Sequence, residues 1–241
     1  MIRAVMDGLL AVLLAPECAA CRAPLIHPTQ GCVCESCWLS IPRIGGPVCR
    51  LCGEALREGV PALMPASCDR CTGVGSAIDS VRSAALHTGA MRAVVHALKY
   101  DGRRSIAKPL AELMRTAAPE MLRDAAAAVP VPLHPARRRA RGFNQAYDLA
   151  RHLQLPVIQA LRRTRATRTQ TALPADERRA NVAGAFAGTR HAVTLRGLVV
   201  VLVDDVRTTG ATLEACATVL KEAGVREVRA LTAARVETPP G

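Results

Sequence analysis

The stretch "VLVDDVRTTGATLEACATVL", residues 201–220, runs an apolar segment into two adjacent aspartates, then a Thr/Gly turn, then a helical pattern. Residues 198–203, "LVVVLV", are apolar at every position, as a strand covered on both faces has to be. Such a strand belongs to a parallel sheet with helices on both sides, where ligands bind beyond the carboxyl ends of the strands. Asp204 and Asp205 emerge at that end, and Thr208, Thr209, Gly210, Ala211 and Thr212 turn the chain into the next helix. Adjacent anions repel, so packing alone does not ask for the pair. Paired carboxylates accept hydrogen bonds from vicinal hydroxyls. A Thr/Gly turn at a helix N-terminus offers N–H groups, hydroxyls and partial positive charge to a phosphate. A ribose 5-phosphate carries both groups one sugar apart. The chain has neither G-x-x-x-x-G-K-[ST] nor G-x-G-x-x-G, which excludes a Walker loop and a Rossmann fingerprint.

Working outward, the same α/β alternation continues. Residues 77–87 read as a strand, and 89–100 as a helix ended by Asp101-Gly102. Residues 105–118 read as a second helix beginning near Lys108, with apolar positions at Ile106, Leu110, Leu113 and Met114. "AAAVPVPL" (126–133) is a short strand, "HPARRRARG" (134–142) a loop, and 144–152 a helix. A polar, basic stretch without period follows. The helix over 211–222 is stopped by Gly224, and "VREVRALTAARV" (225–236) closes as a strand. Strands alternating with crossover helices predict a parallel α/β sheet.

Residues 1–76 have a different texture. Eight of the ten cysteines fall into four Cys-x-x-Cys pairs: Cys18/Cys21, Cys34/Cys37, Cys49/Cys52 and Cys68/Cys71. Two intervening residues let one tight turn present both sulfurs to a tetrahedral ion, so four pairs predict two structural Cys₄ zinc sites. Loop economy favours sequential over crossed pairing. The segment is rich in Pro and Gly, with Trp38 its only aromatic residue. Zinc therefore has to supply its folding energy, ~10–16 kcal/mol per site. A redox role would place a pair on a helix N-terminus in a βαβ setting, which these pairs lack. Cys32 and Cys216 remain outside the pattern. The division expected is a double zinc ribbon with a short N-terminal helix over 1–76 and a second domain over 77–241.

The net charge of +12 is uneven. Residues 1–76 hold six Arg and six acidic residues, and two loaded Cys₄ sites would take them to about −4. Residues 130–190 hold twelve Arg against Asp148, Asp176 and Glu177, a balance of +9, so an anionic ligand is expected there. The opening "MIRAVMDGLLAVLLAPEC" has a short apolar run broken by Asp7 and no A-x-A cleavage site, and reads as an amphipathic helix packed on the body. No stretch reaches the ~18 apolar residues of a membrane span. The expected location is the cytoplasm, without membrane insertion.

Taken together, "VVVLVDDVRTTGATL" resembles the phosphoribosyl-pyrophosphate motif of type I phosphoribosyltransferases, and the whole chain resembles the competence-associated ComF family. The resemblance rests on the double ribbon, "ALKYDGRR", "VPVPLHPARRRARGFNQA", "RTQTALPADERRANVAGAF" and the motif itself, in the family's order. It implies that Asp204 and Asp205 hold the ribose 2- and 3-hydroxyls and that 208–212 cradle the 5-phosphate. It also implies that Arg137, Arg138, Arg139 and Arg141 meet pyrophosphate with magnesium, and that "RATRTQTALPADERRANV" (165–182) is a hood loop. For any single one of these arginines a solvated basic face is an equal reading. Lys99 and Tyr100 are motif positions without a derivable role, and His134 reads as a surface histidine.

Two functions from different classes follow. One is an enzyme that transfers or cleaves the phosphoribosyl group of phosphoribosyl pyrophosphate, linked to DNA uptake or nucleotide metabolism, with its acceptor and catalytic residues unassigned. The other is a non-catalytic nucleotide-sensing or single-stranded-DNA-binding competence factor acting with competence proteins. The basic stretch favours DNA. The aromatic count opposes it, because single-strand binders stack bases on aromatic side chains and this chain has only Trp38, Tyr100, Phe143, Tyr147 and Phe186.

Overall fold

A computed structural model describes residues 2–56, 67–165 and 184–237. Its centre is a wholly parallel sheet in the order β1 (Ser80–Leu86), β6 (Glu227–Arg235), β5 (Val199–Arg207), β2 (Ala127–Pro130). Side-chain alternation along β5 divides the core in two. Val201 and Val203, with Leu231 and Ala233 of β6, face α3 (Gly89–Tyr100), α4 (Ala107–Ala117) and α6 (Gln145–Ala150). Val200 and Leu202, with Val228 and Ala230, face α7 (Ala211–Glu222) and an antiparallel pair, β3 (Leu161–Arg163) and β4 (Phe186–Gly188). Helix α3 packs through Met91, Val94, Val95 and Leu98, the i, i+3, i+4, i+7 stripe of an amphipathic helix. Each such buried side chain contributes roughly 1.5–3 kcal/mol. Cys216 is wholly buried in the α7 layer, a small apolar side chain among Leu213, Ala217 and Leu220.

The cysteines pair sequentially. The Sγ atoms of Cys18, Cys21, Cys34 and Cys37 lie within 4.8 Å of one another, as do those of Cys49, Cys52, Cys68 and Cys71. Tetrahedral zinc with Zn–S near 2.3 Å sets sulfurs about 3.8 Å apart, and Cys21–Cys34 and Cys52–Cys68 stand at 3.8 and 3.6 Å. Backbone N–H groups of Cys34 and Cys68 each donate to the leading sulfur of their site at 3.3 Å. The donor sets fit structural zinc.

The first ribbon, which carries the short helix α2 (Glu35–Leu39), is built into the core of the sheet: Cys18, Leu25, Val33 and Ile41 are buried in the same cluster as α3 and α4. The chain between the ribbons runs along β1, with Ile44 N–H donating to Ala84 C=O at 3.0 Å and Leu86 N–H to Pro42 C=O at 2.9 Å. That segment covers what would be an open sheet edge. The second ribbon is clamped by Arg235 at the end of β6, whose guanidinium is only 4% exposed and donates to both Glu54 oxygens at 2.8 and 3.0 Å.

Three expectations are corrected. Residues 134–142 are no loop: α5 (Pro135–Arg141) is a helix, N-capped by His134, whose Nδ1 accepts from Ala136 N–H at 3.3 Å. Gly142, at φ 81°, ends it. Strand β5 does not stop at 203 but carries both aspartates within its ladder, Asp204 opposite Thr232 of β6. Helix α1 (Ile2–Leu14) does not lay its apolar face on the body: Val5, Met6, Leu9, Leu13 and Leu14 are exposed. Buried Asp7 instead accepts Thr29 N–H at 2.9 Å.

Candidate active site

The carboxyl ends of the strands open into a cleft of about 520 Å³ that brings most of the sequence-predicted residues together. Because β5 alternates, Asp204 and Asp205 leave it on opposite faces. Asp205 turns toward α3, where Lys99 Nζ sits 2.9 Å from its Oδ2, while its Oδ1 accepts Val206 N–H at 2.7 Å. Its side chain is 4% exposed, so the lysine neutralises a charge taken out of water. Asp204 turns toward the α7 and β3–β4 layer, within electrostatic reach of Arg163. Burial and the Asp205 charge push its carboxyl up to about 8. The two carboxylates thus leave opposite faces of the strand, Asp205 paired with Lys99 and Asp204 protonated up to about pH 8. Lys99 has no role derivable from the sequence; its place in the last turn of α3 supplies one.

The turn after β5 is compact because Gly210 takes φ 83°, immediately before α7. A Cβ there would meet Nε and Nη2 of Arg207 at 3.2 and 3.3 Å. The Arg207 side chain runs beneath the turn, and burial lowers its pKa, with the Arg235 charge acting in the same direction and Glu54 against it. Thr208, Thr209 and Thr212 are half-buried around the turn, and Ala211 begins the helix. Gly210→Ala is expected to cost about 1 kcal/mol in stability from the left-handed backbone alone, more through the Arg207 contact. A thermal melt unchanged from the parent would refute this.

The arginine run divides in two. On α5, Arg137 and Arg141 are i, i+4 neighbours that line the cleft, whereas Arg138 and Arg139 are exposed and do not. Arg141 donates to Gln145 Oε1 at 2.6 Å and stacks over the Tyr100 ring, 5.1 Å from its centroid. That contact lays the Tyr100 ring against the Arg141 guanidinium at the cleft wall. Asn144 joins the pieces, its Nδ2 donating to Val131 C=O at 3.0 Å while its Oδ1 caps α6 at Ala146 N–H. Arg163 of β3, which carried no sequence signal, also lines the cleft, its pKa lowered by burial and by Arg137 nearby. So do His87 and Arg92. The expected hood stretch, 165–182, lies almost wholly outside the described residues, which resume at Gly184. No helix among the described residues is long and apolar enough to cross a membrane.

The model of the double zinc ribbon domain matches residues 9–72, and that of the phosphoribosyl transferase domain matches residues 139–239. Competence protein F of Haemophilus influenzae is 30% identical over 91% of this chain and 96% of its own length. The DNA utilization protein YhgH of Salmonella typhi is 33% identical over 88% of this chain and 93% of its own. Competence protein ComFC of Bacillus subtilis is 30% identical over 83% and 82%, respectively. Among solved structures, the allosteric regulatory enzyme of purine biosynthesis is similar over 53% of this chain and 26% of its own, at 22% identity and a TM-score of 0.34.

Proposed function

The chain belongs to the ComF family of competence-associated proteins, and we propose that its cleft binds phosphoribosyl pyrophosphate and transfers or cleaves the phosphoribosyl group. The observation that carries this reading is the convergence, around one strand end, of two separated carboxylates, a Gly-hinged turn at a helix N-terminus, and Arg137 with Arg141. Asp204 and Asp205 accept from the ribose hydroxyls, the 208–212 turn holds the 5-phosphate, and the α5 guanidiniums bind pyrophosphate oxygens bidentately. Magnesium suits hard oxygen donors such as pyrophosphate and Asp204, the carboxylate that Lys99 does not hold, and when bound it would neutralise charge on the leaving group. The protein's own contribution is positioning and preorganised charge around the reacting carbon. In this reading 1–76 is scaffold and 77–241 holds the site, and the competence and DNA-utilization names of the relatives support a setting in DNA uptake.

One experiment separates the subsites. Arg137→Gln is expected to weaken phosphoribosyl pyrophosphate about tenfold, ~1.4 kcal/mol, and to leave ribose 5-phosphate within twofold, by calorimetry with magnesium. Arg138→Gln should change neither ligand. Equal losses for both ligands would overturn the pyrophosphate assignment.

A second reading rests on the outward pair. Arg138 and Arg139 face solvent beside the cleft mouth, where a single-stranded DNA backbone could run. In that case neutralising each would flatten the salt slope of DNA binding by about 0.7. An unchanged slope excludes the track.

A further inference from the structure

The turn read above as the phosphate holder has the second ribbon at its back. Between them lies a groove of about 670 Å³, lined on one side by Cys52, Cys71 and Val74 and on the other by Ala215 and Val219 of α7. Arg207 and Gly210 line both this groove and the cleft, so the turn is the wall between the two spaces. Two sets of polar contacts cross from the ribbon to the flanks of the turn. On the leading flank, Arg207 ends β5 in register with Arg235 of β6, and its C=O accepts Val236 N–H at 2.9 Å, while Arg235 is held on Glu54. On the trailing flank, Glu214 closes the first turn of α7, its N–H donating to Gly210 C=O at 2.9 Å. Its carboxylate turns back to the segment that leaves the last knuckle: Oε1 accepts Ala77 N–H at 2.6 Å and Oε2 accepts the Ser76 hydroxyl at 2.8 Å. That segment is fixed at both ends. Val74 N–H donates to Cys71 C=O at 3.2 Å, and Asp79 exchanges two bonds with Val228 of β6, at 2.9 and 2.8 Å.

Resting on the reading of residues 208–212 as the 5-phosphate turn, we propose that Glu214 is a positioning residue for that turn. It ties the start of α7 to the last knuckle of the second ribbon, so that the ribbon sets how firmly the turn holds a phosphate monoester. A charge argument isolates this role. A carboxylate in the first turn of a helix draws on the same partial positive charge as a bound phosphate, and it repels that phosphate directly. If Glu214 acted through its charge, removing it would tighten the ligand. Its two charge-assisted bonds act the other way. They commit the carboxylate to donors 137 and 138 residues away in sequence and fix the first turn of α7 against the segment entering β1. The tie matters because of Gly210. Its φ of 83° is one well among several that glycine adopts with ease, so the backbone alone does not lock the turn. Holding α7 from Glu214 keeps the N–H groups after Gly210 converged before the ligand arrives, which spares the ligand the cost of ordering them. Such coupling is reciprocal: a ligand that gains from an ordered ribbon orders the ribbon in return.

The test uses the full chain and two probes by calorimetry: ribose 5-phosphate for the turn, and inorganic pyrophosphate with magnesium for Arg137 and Arg141. Glu214→Ala is expected to weaken ribose 5-phosphate about tenfold and to leave pyrophosphate within about twofold. Glu214→Gln keeps an acceptor for Ala77 N–H while losing the charge, and should return ribose 5-phosphate to within about threefold of the parent. Ser76→Ala removes one of the two bonds without touching α7 or any charge, and is expected to weaken ribose 5-phosphate about threefold. In hydrogen exchange, ribose 5-phosphate should slow Val74 N–H in the parent and not in Glu214→Ala. Unchanged or tighter ribose 5-phosphate binding in Glu214→Ala overturns the proposal, as do equal losses of both probes, which would mean general loosening. Should Glu214→Ala fail to fold, Ser76→Ala decides: unchanged ribose 5-phosphate affinity, or a Val74 exchange rate in the parent that the ligand does not move, overturns the tie. A parent chain that does not bind ribose 5-phosphate overturns the reading of residues 208–212 and this proposal with it. A parent that binds it, with variants that bind it equally well, overturns this proposal alone.

Discussion

Cys49→Ser is expected to halve the zinc content from two ions to one per chain and to loosen the sheet at the ends of β1 and β6. Cys49 is wholly buried, and its sulfur accepts the Cys68 N–H that closes the second ribbon. Losing one of four thiolates forfeits most of a binding energy of about 10–16 kcal/mol, and the ribbon has little core to replace it. The damage spreads because the ribbon is tied to the sheet at two places. Val81 N–H donates to Arg50 C=O at 2.7 Å, and Arg235 spends both terminal nitrogens on Glu54. Releasing Glu54 leaves a buried guanidinium without its partner, which costs roughly 3–5 kcal/mol. Elemental analysis gives the stoichiometry, and hydrogen exchange at Val81 and along β6 reads the spread. Unchanged exchange in a one-zinc protein would show that the sheet does not depend on the ribbon. Glu54→Gln isolates the clamp: two zinc ions retained, with intermediate loss of protection.

Much of this molecule was legible because its signals are local. Four Cys-x-x-Cys pairs dictate two tight turns per ion, and "LVVVLV" can only be a strand covered on both sides. The α5 helix was misread although its signals were present: a capping His134, Pro135 at the first helical position and Gly142 past the last. Six charged or small residues in a row, 136–141, mask a helix with almost no apolar face. Other residues could not have been found. Lys99 and Asp205 are 106 positions apart, and no pattern announces that the end of α3 stops over the end of β5. Arg163 and His87 enter the cleft through strand order, which sequence spacing does not encode. The Asp204–Asp205 pair stands out in the sequence, but that the two leave opposite faces of β5 follows only from the strand running four residues further than its apolar stretch; the remaining repulsion shows in the raised Asp204 carboxyl.

Lys99→Met is expected to be the most damaging single change in the cleft. It leaves Asp205 with a side chain 4% exposed and no neutralising charge. Breaking a buried pair from one side costs roughly 3–5 kcal/mol, and the lower end applies because Lys99 retains 21% exposure. Lys99→Met with Asp205→Asn removes both charges and should recover most of that loss, whereas a purely steric role for Lys99 predicts no recovery. The second carboxylate sets the pH dependence. Asp204 is pushed to about 8 in the folded protein, by burial first and the Asp205 charge second, against about 3.9 unfolded. Between those values the folded state holds a proton the unfolded chain has released, so this group makes stability fall as pH rises, by at most about 1.4 kcal/mol per unit. The loss is complete above about 8, and none is present below about 4. Asp204→Asn removes the term, so the variant should gain on the parent steadily from pH 5 to pH 8 in denaturant titrations, other groups cancelling in the difference. A constant gap would mean that Asp204 is ionised throughout. Ligand binding runs the opposite way: a diol that needs the ionised carboxylate binds tighter as pH approaches 8 in the parent, and without that rise in Asp204→Asn. On the proposed reading, the charge that destabilises the empty fold is the one that would hold the sugar.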